Sequence, residues 1–273
     1  MDFVTGPIRL QITTESAGLL AAVHAVASRW PVSAPETDVP VLLDAHIHLV
    51  PRPGRLPPHR PYVREGDPAL GPWRLGHDPL WVAEGDGLAS VTVRIVELPA
   101  PAAPEFGLRQ FLRYFVSEAL LALGGLALHA AAATRPEGAT VFLAPSGGGK
   151  TTLVRRHAGA GALADDMALI VPGRGGPWVV PSPFPGREGV STTGTAAPLA
   201  RIVDLRKGEP PNWVRLSTAE VVTLLVLRAK VPDNALPVRE RVLDAALRLA
   251  QHPGVLRLGL PPDQSPWAIL GAP

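Results

Sequence analysis

No cysteine occurs anywhere in the 273 residues, which excludes disulfides, thiolate nucleophiles and cysteine-ligated zinc. Net charge is equally scarce: 26 lysines and arginines stand against 24 acidic residues, no run of like charge breaks the balance, and aromatic residues interleaved with basic ones are missing. A nucleic-acid surface is therefore not expected. Long apolar runs are also lacking. The longest, Ala119 to Ala133, has only His129 as a clearly polar member, falls short of the roughly 20 residues a bilayer requires, and is split by Gly124-Gly125. The opening residues, Met1 to Thr5, lack a charged segment followed by an apolar one. The expectation is a soluble cytoplasmic protein with no membrane partner. A hydrophobic fraction of 46% is ample for a buried core.

What is present is concentrated in residues 144 to 152. Ala144-Pro145-Ser146-Gly147-Gly148-Gly149-Lys150-Thr151-Thr152 stands between the apolar run Val141-Phe142-Leu143 and a helix-capable stretch, and reads as a P-loop. Its glycines allow successive backbone N–H groups to turn towards a phosphate at the positive end of the following helix. Lys150 is then expected to reach the β- and γ-phosphates, and the Thr151 hydroxyl to ligate Mg²⁺. Ala144 replaces the first glycine of the usual pattern, a mild departure at a strand end. The plainer reading is a glycine-rich turn that happens to precede a lysine; the order strand, loop, Gly-Lys-Thr, helix argues against it.

Fourteen residues beyond Thr151, Asp165-Asp166 ends the strand expected after the P-loop helix. One carboxylate can hold Mg²⁺, directly or through water, and the other can accept a proton from an attacking hydroxyl. An ordinary acidic turn is the alternative, although Leu163-Ala164 and Met167 to Val171 embed the pair in apolar sequence. His129, within Leu126 to Ala131, would alone pass for a satisfied core histidine.

The remaining pattern divides the chain at the proline-rich link Pro99 to Pro104. Residues 1–105 read as a smaller β-rich amino-terminal domain, with a helix over Ala17 to Arg29, extended runs at Val39 to Val50 and Ser90 to Leu98, and a long Pro/Gly/Arg-rich loop from Pro51 to Pro79. Residues 106–273 read as an α/β domain with a mixed central sheet. Leu108, Phe111, Leu112, Phe115, Ala119 and Leu120 recur at helical spacing. Strands are expected at Leu126 to Ala133, Ala139 to Leu143, near Leu163, Met167 to Val171 and Trp178 to Val180, and helices at Lys150 to His157, Thr218 to Ala229 and Val238 to Gln251. Asp44-Ala45-His46-Ile47-His48 has the spacing of an amidohydrolase metal strand, but no further barrel ligands follow, and a partly exposed strand face is the simpler reading. Gly159-Ala160-Gly161 follows a helix rather than a strand and reads as a helix stop.

Leu128-His129-Ala130, the P-loop and Leu163-Ala164-Asp165-Asp166 together resemble the catalytic core of the HPr serine kinase/phosphorylase family, whose nucleotide site is shared with phosphoenolpyruvate carboxykinases. The resemblance covers roughly residues 108 to 190. It implies a phosphoenolpyruvate carboxykinase-like P-loop core binding ATP or GTP with Mg²⁺, and transfer of the γ-phosphoryl group to a hydroxyl, a serine of a protein or peptide. It further implies that Ser146 to Thr152 cradle the nucleotide, that Asp165 is the general base assisted by His129, and that Thr151, Asp166 and, in a weaker match at Ser182 to Glu188, Glu188 hold the metal, with Arg187 beside the transferred phosphate. The carboxy-terminal signature and basic loop of the bifunctional enzymes are absent, so phosphorolysis, the hexamer and HPr itself are not carried over; self-association is left open. The chain is more similar to short, divergent members, including those of peptide-modifying pathways. A nucleotide-binding scaffold with little turnover and a small-molecule kinase stand as alternatives. Asp165 buried and turned away from the loop would favour the scaffold, and a closed acceptor pocket the small molecule.

Overall fold

Alternation of apolar and polar residues drives the first part of the chain into strands. The computed structural model describes residues 1–30, 39, 41–52, 63–77, 80–96, 103–145, 147–157, 161–186, 190, 192–231, 235–261 and 264–270. The strands are β1 (Asp2–Thr5), β2 (Ile8–Thr14), β3 (Leu43–Arg52), β4 (Val63–Gly66), β5 (Pro72–His77), β6 (Trp81–Asp86) and β7 (Ser90–Val96), and in all but the short, charged β4 buried side chains recur at period two on one face. They form one sheet in the order β1-β2-β3-β7-β6-β5-β4. β2, β3 and β7 run parallel and the outer pairs antiparallel. The parallel step from β2 to β3 needs a crossover, which α1 (Ala17–Ala27) contributes, capped by the Ser16 side chain.

On β3, Ala45, Ile47 and Leu49 are buried while Asp44, His46 and His48 are exposed. His48 Nδ1 lies 3.2 Å from the Thr13 hydroxyl, and no metal-binding group of three His, Asp or Glu side chains exists among the described residues. The two histidines thus occupy an open strand face. The loop expected from Pro51 to Pro79 lies partly outside the described residues, but β4 and β5 fall within it, so the expectation of one long loop is corrected. The β4–β5 and β5–β6 pairings show why: local charge and glycine content conceal the edge strand β4 and its neighbour β5, which are held by pairing along the meander.

Helix α2 (Ala103–Ala122) follows the proline-rich link. Its stripe Leu108, Phe111, Leu112, Phe115, Ala119 and Leu120 is buried throughout, each larger side chain contributing roughly 1.5–3 kcal/mol. Phe111 meets Trp81 edge-to-face at 5.4 Å. Because α2 packs on α1, β6 and β7 as well as on the second sheet, one continuous core runs across the link. Phe3, Trp30 and Phe184 bridge it as successive edge-to-face contacts of 4.9 and 5.7 Å.

The second part contains β8 (Leu126–Leu128), β9 (Ala130–Arg135), β10 (Gly138–Leu143), α3 (Lys150–His157), β11 (Ala162–Ala164), β12 (Ala168–Gly173), β13 (Gly176–Val180), β14 (Ala197–Lys207), β15 (Trp213–Arg215), α4 (Thr218–Arg228), α5 (Leu236–Ala250), β16 (Val255–Leu260) and α6 (Pro266–Leu270). The sheet order is β11-β9-β10-β14-β13-β12-β8, with β16 on β14 and β15 on β16. β10, β14 and β16 run parallel; the whole is a mixed α/β sheet. α4 opens with a complete capping box, Ser217 and Glu220 satisfying each other's backbone N–H groups.

The strand expected from Leu126 to Ala133 is not continuous: it breaks at His129. β8 pairs with β12, whereas β9 pairs with β10 and β11. The chain breaks again at Asp165-Asp166-Met167, where β11 leaves β9 and β12 joins β8. An unbroken strand at either place could not serve both sets of partners.

Candidate functional site

The glycine-rich loop leaves the buried end of β10 and enters α3 directly. Leu153 and Val154 anchor that helix against β9 and β11. Gly149 has φ +89°, a conformation closed to most side chains. At Gly148 a Cβ would lie 2.6 Å from the Ala144 Cβ and 2.9 Å from the Pro145 carbonyl oxygen. The methyl group that replaces the first motif glycine is therefore accommodated because Gly148 carries none.

Lys150 is only 7% exposed. Its Nζ donates to the carbonyl oxygens of Ala144 at 2.8 Å and Pro145 at 3.1 Å, bracing the loop from within. Burial lowers its pKa, with the positive charges of Arg228 and Lys230 acting in the same direction and Asp166 opposing them.

The two strand breaks face each other. His129 N–H donates to the Arg228 carbonyl at the end of α4, 2.7 Å away, and Ala130 N–H to the Asp166 carbonyl at 3.2 Å. These bonds satisfy backbone groups that the interrupted ladders leave over and bring the His129 ring to Asp166. Nδ1 lies 3.0 Å from Asp166 Oδ1. The other carboxylate oxygen, Oδ2, receives Arg113 at 3.3 Å and Lys230 at 3.5 Å. Burial alone would raise the Asp166 pKa, but the His129 hydrogen bond and the Lys230 and Arg113 charges hold it well below the usual carboxylate range.

Asp165 has the opposite environment. It is 4% exposed, and its Oδ1 accepts the Gly186 N–H at 2.8 Å. Burial raises its pKa, and the negative charge of Asp166 adds to this against the bonds from Gly186 and Val190. The histidine's carboxylate is thus Asp166, where the family resemblance placed it on Asp165.

A single cavity of about 600 Å³ gathers these groups. Gly147 to Thr152 form one wall, His129, Asp165 and Asp166 another. Ser146 and Glu188, with Arg187, lie outside the described residues, as do residues 158–160 of the expected helix stop. Four further residues line the cavity without a local sequence signal that marks them. Arg109, Gln110 and Arg113 reach it from the polar face of α2, and Lys207 from the end of β14. The helical pattern of α2 was visible, yet nothing in it indicates what its polar face approaches. β14 carries no clear strand signal because Arg201, Asp204 and Arg206 interrupt its apolar run; in the structure Asp204 is buried and paired with Arg206 and Arg257 at 2.8 and 2.9 Å.

Chemically the cavity places backbone and lysine donors opposite two carboxylates of contrasting proton affinity. The Thr151 hydroxyl and the carboxylates are hard oxygen donors. Mg²⁺ is commonly held by one or two carboxylates together with substrate phosphates, so this donor set fits it without a dedicated protein cage. The sequence matches no protein-family model, and no curated protein is similar enough to match it. No described helix is long and apolar enough to cross a membrane.

Proposed function

We propose that the protein is a nucleotide-dependent kinase of the HPr serine kinase-like type, transferring the γ-phosphoryl group of ATP or GTP to a hydroxyl, a serine of a protein or peptide. The observation that carries this reading is the joint lining of one cavity by the Gly-Lys-Thr loop and the His129, Asp165 and Asp166 group.

In this proposal the loop amides and Lys150 bind the β- and γ-phosphates. Lys150 exchanges its carbonyl partners for phosphate oxygens, which offsets the cost of its buried charge. Thr151 and Asp166 would hold Mg²⁺, which when bound neutralises charge on the transferring group. Asp166 is the fixed negative charge of the site, oriented by His129. Asp165, whose proton affinity is raised, takes the proton from the acceptor hydroxyl. Phosphoryl transfer passes through a loose transition state, so positioning and charge carry most of the rate. Arg109 and Gln110 of α2 also line the cavity, and in this proposal an extended acceptor reaches the site along them.

A second reading rests on one observation: Asp165 is buried and bonded to Gly186, which favours a nucleotide-binding protein of low turnover. Mg²⁺-dependent ATP binding and phosphoryl transfer to serine peptides, measured on the unchanged protein, Lys150→Ala and Asp165→Asn, separate the two. The kinase reading requires transfer that Asp165→Asn abolishes while binding survives. Binding without transfer supports the second reading, and absence of binding overturns both.

A further inference from the structure

A second cavity of about 280 Å³ lies on the other side of the glycine-rich loop. It shares Gly148, Gly149, Thr152 and Lys207 with the first, so the phosphate-binding backbone forms the partition between the two. Their chemistry differs. The first is lined by arginines, a histidine and carboxylates; the second has apolar walls, Leu153 from α3 facing Leu260, Pro261 and Pro266 from the end of β16 and the start of α6. Its polar side chains are Thr152 and Lys207 on the shared partition, Ser265, and the exposed Arg156 and Gln264.

We infer that this second cavity is the nucleoside subsite, holding the base of a nucleoside triphosphate. The inference rests on the kinase reading and gives the nucleotide a direction. A ligand whose phosphates sit on Gly148 to Thr152 must extend its remaining part into one cavity or the other. The first is occupied by charges that a flat, partly apolar base would desolvate without compensation. The second offers apolar surface of near-sufficient size, ligand pockets starting at about 300 Å³, and an amide and a guanidinium to meet the polar edge of a base. Leu153 and Arg156 are one helical turn apart and face the same side of α3, so the helix that binds phosphate at its start also presents the base contacts along its flank. The γ-phosphate then points towards Asp166, and the acceptor enters from the α2 side.

The test compares Mg²⁺-dependent binding of ATP and inorganic tripolyphosphate and maps photoinsertion of 8-azido-ATP. ATP is expected to bind about tenfold more tightly than tripolyphosphate, the effect of burying part of the base against apolar side chains. Gln264→Ala and Leu260→Ala should reduce that margin while leaving tripolyphosphate affinity unchanged, and the label should fall on Arg156, Leu260 or Gln264. Equal affinities for the two ligands, or a label on Arg109, Gln110 or Arg113, overturn the subsite while leaving phosphate binding intact. Binding of neither ligand overturns the kinase reading and the subsite together. Both substitutions are confined to the cavity wall, and retention of tripolyphosphate binding reports that each variant is folded.

Discussion

His129 Nδ1 lies 3.0 Å from Asp166 Oδ1, and this contact exists because two strands break opposite one another. The ring is held by its own backbone on α4 and β9 and acts on the carboxylate that Arg113 and Lys230 also approach. Its place is that of a positioning residue. His129→Ala is expected to lower turnover about 100-fold with nucleotide affinity changed less than threefold, read as kcat against a directly measured Kd. Equal loss in both would assign the ring to ground-state binding instead.

The adjacent aspartates should respond to neutralisation with opposite signs. Asp166 has a folded pKa below its unfolded value, so its contribution to stability is present above the ordinary carboxylate range and lost as the pH falls towards the folded value. Asp166→Asn is expected to cost about 1–2 kcal/mol at pH 7, a loss that shrinks in acid. Asp165 has a raised folded pKa; its stabilising protonated form prevails below the unfolded value, and stability falls as the pH rises through the folded one. Asp165→Asn should therefore raise the melting temperature at pH 7 and have little effect below pH 4. Thermal melts of both variants across pH check the pair.

A comparable sign attaches to Lys150. Its folded pKa is lowered by burial, so the unfolded chain binds more protons and stability rises with pH between the folded value and the ordinary lysine value of about 10.4. Lys150→Met removes the buried charge together with its two carbonyl hydrogen bonds, and is expected to flatten this rise of stability with pH while eliminating Mg²⁺-dependent ATP binding. In the unchanged protein, phosphate binding should decline on an alkaline limb that begins below the ordinary lysine range.

Much of this site was legible because its chemistry is local. The span Gly147 to Thr152 encodes its own turn and its own helix start, and helix α3 occupies Lys150–His157 as its pattern implies. The stripe on α2 and the capped starts of α1 and α4 are equally local features. The break at His129 was hidden because Leu126 to Ala133 is uniformly apolar, and only the competing demands of β12 and β10 divide it. β14 and Lys207 were hidden for a related reason: a strand flanked on both sides tolerates charge when partners such as Arg257 meet it, and those partners are distant in sequence.

The loop itself gives a test that depends on two positions. Gly148→Ala places a methyl group against the Ala144 Cβ and the Pro145 carbonyl, and is expected to reduce ATP affinity at least tenfold. Ala144→Gly alone should be near neutral. In the double variant the contact with residue 144 disappears but that with Pro145 remains, so binding should recover in part. Titrations of all four proteins check the coupling.

Arg241 on α5 joins the two halves of the chain. Its guanidinium reaches Asp67 at 2.7 Å, in the turn between β4 and β5, and Glu118 of α2 at 3.3 Å; Arg64 also pairs with Glu118. Glu118 is 2% exposed. Asp67 is held below its ordinary pKa: burial opposes this, but the Arg241 hydrogen bond and charge outweigh it. Removing one partner from such a buried set leaves uncompensated charge, so Arg241→Met is expected to destabilise the protein by about 3 kcal/mol. The variant should also lose the Asp67 contribution to stability, which in the unchanged protein is present above the carboxylate range and declines in acid. Denaturant unfolding at pH 7 measures the loss, and Glu118→Gln in the Arg241→Met background should recover part of it if Arg64 alone does not compensate the buried carboxylate. Additive losses in the double variant would show that Arg64 alone satisfies Glu118 and that Arg241 acts through Asp67.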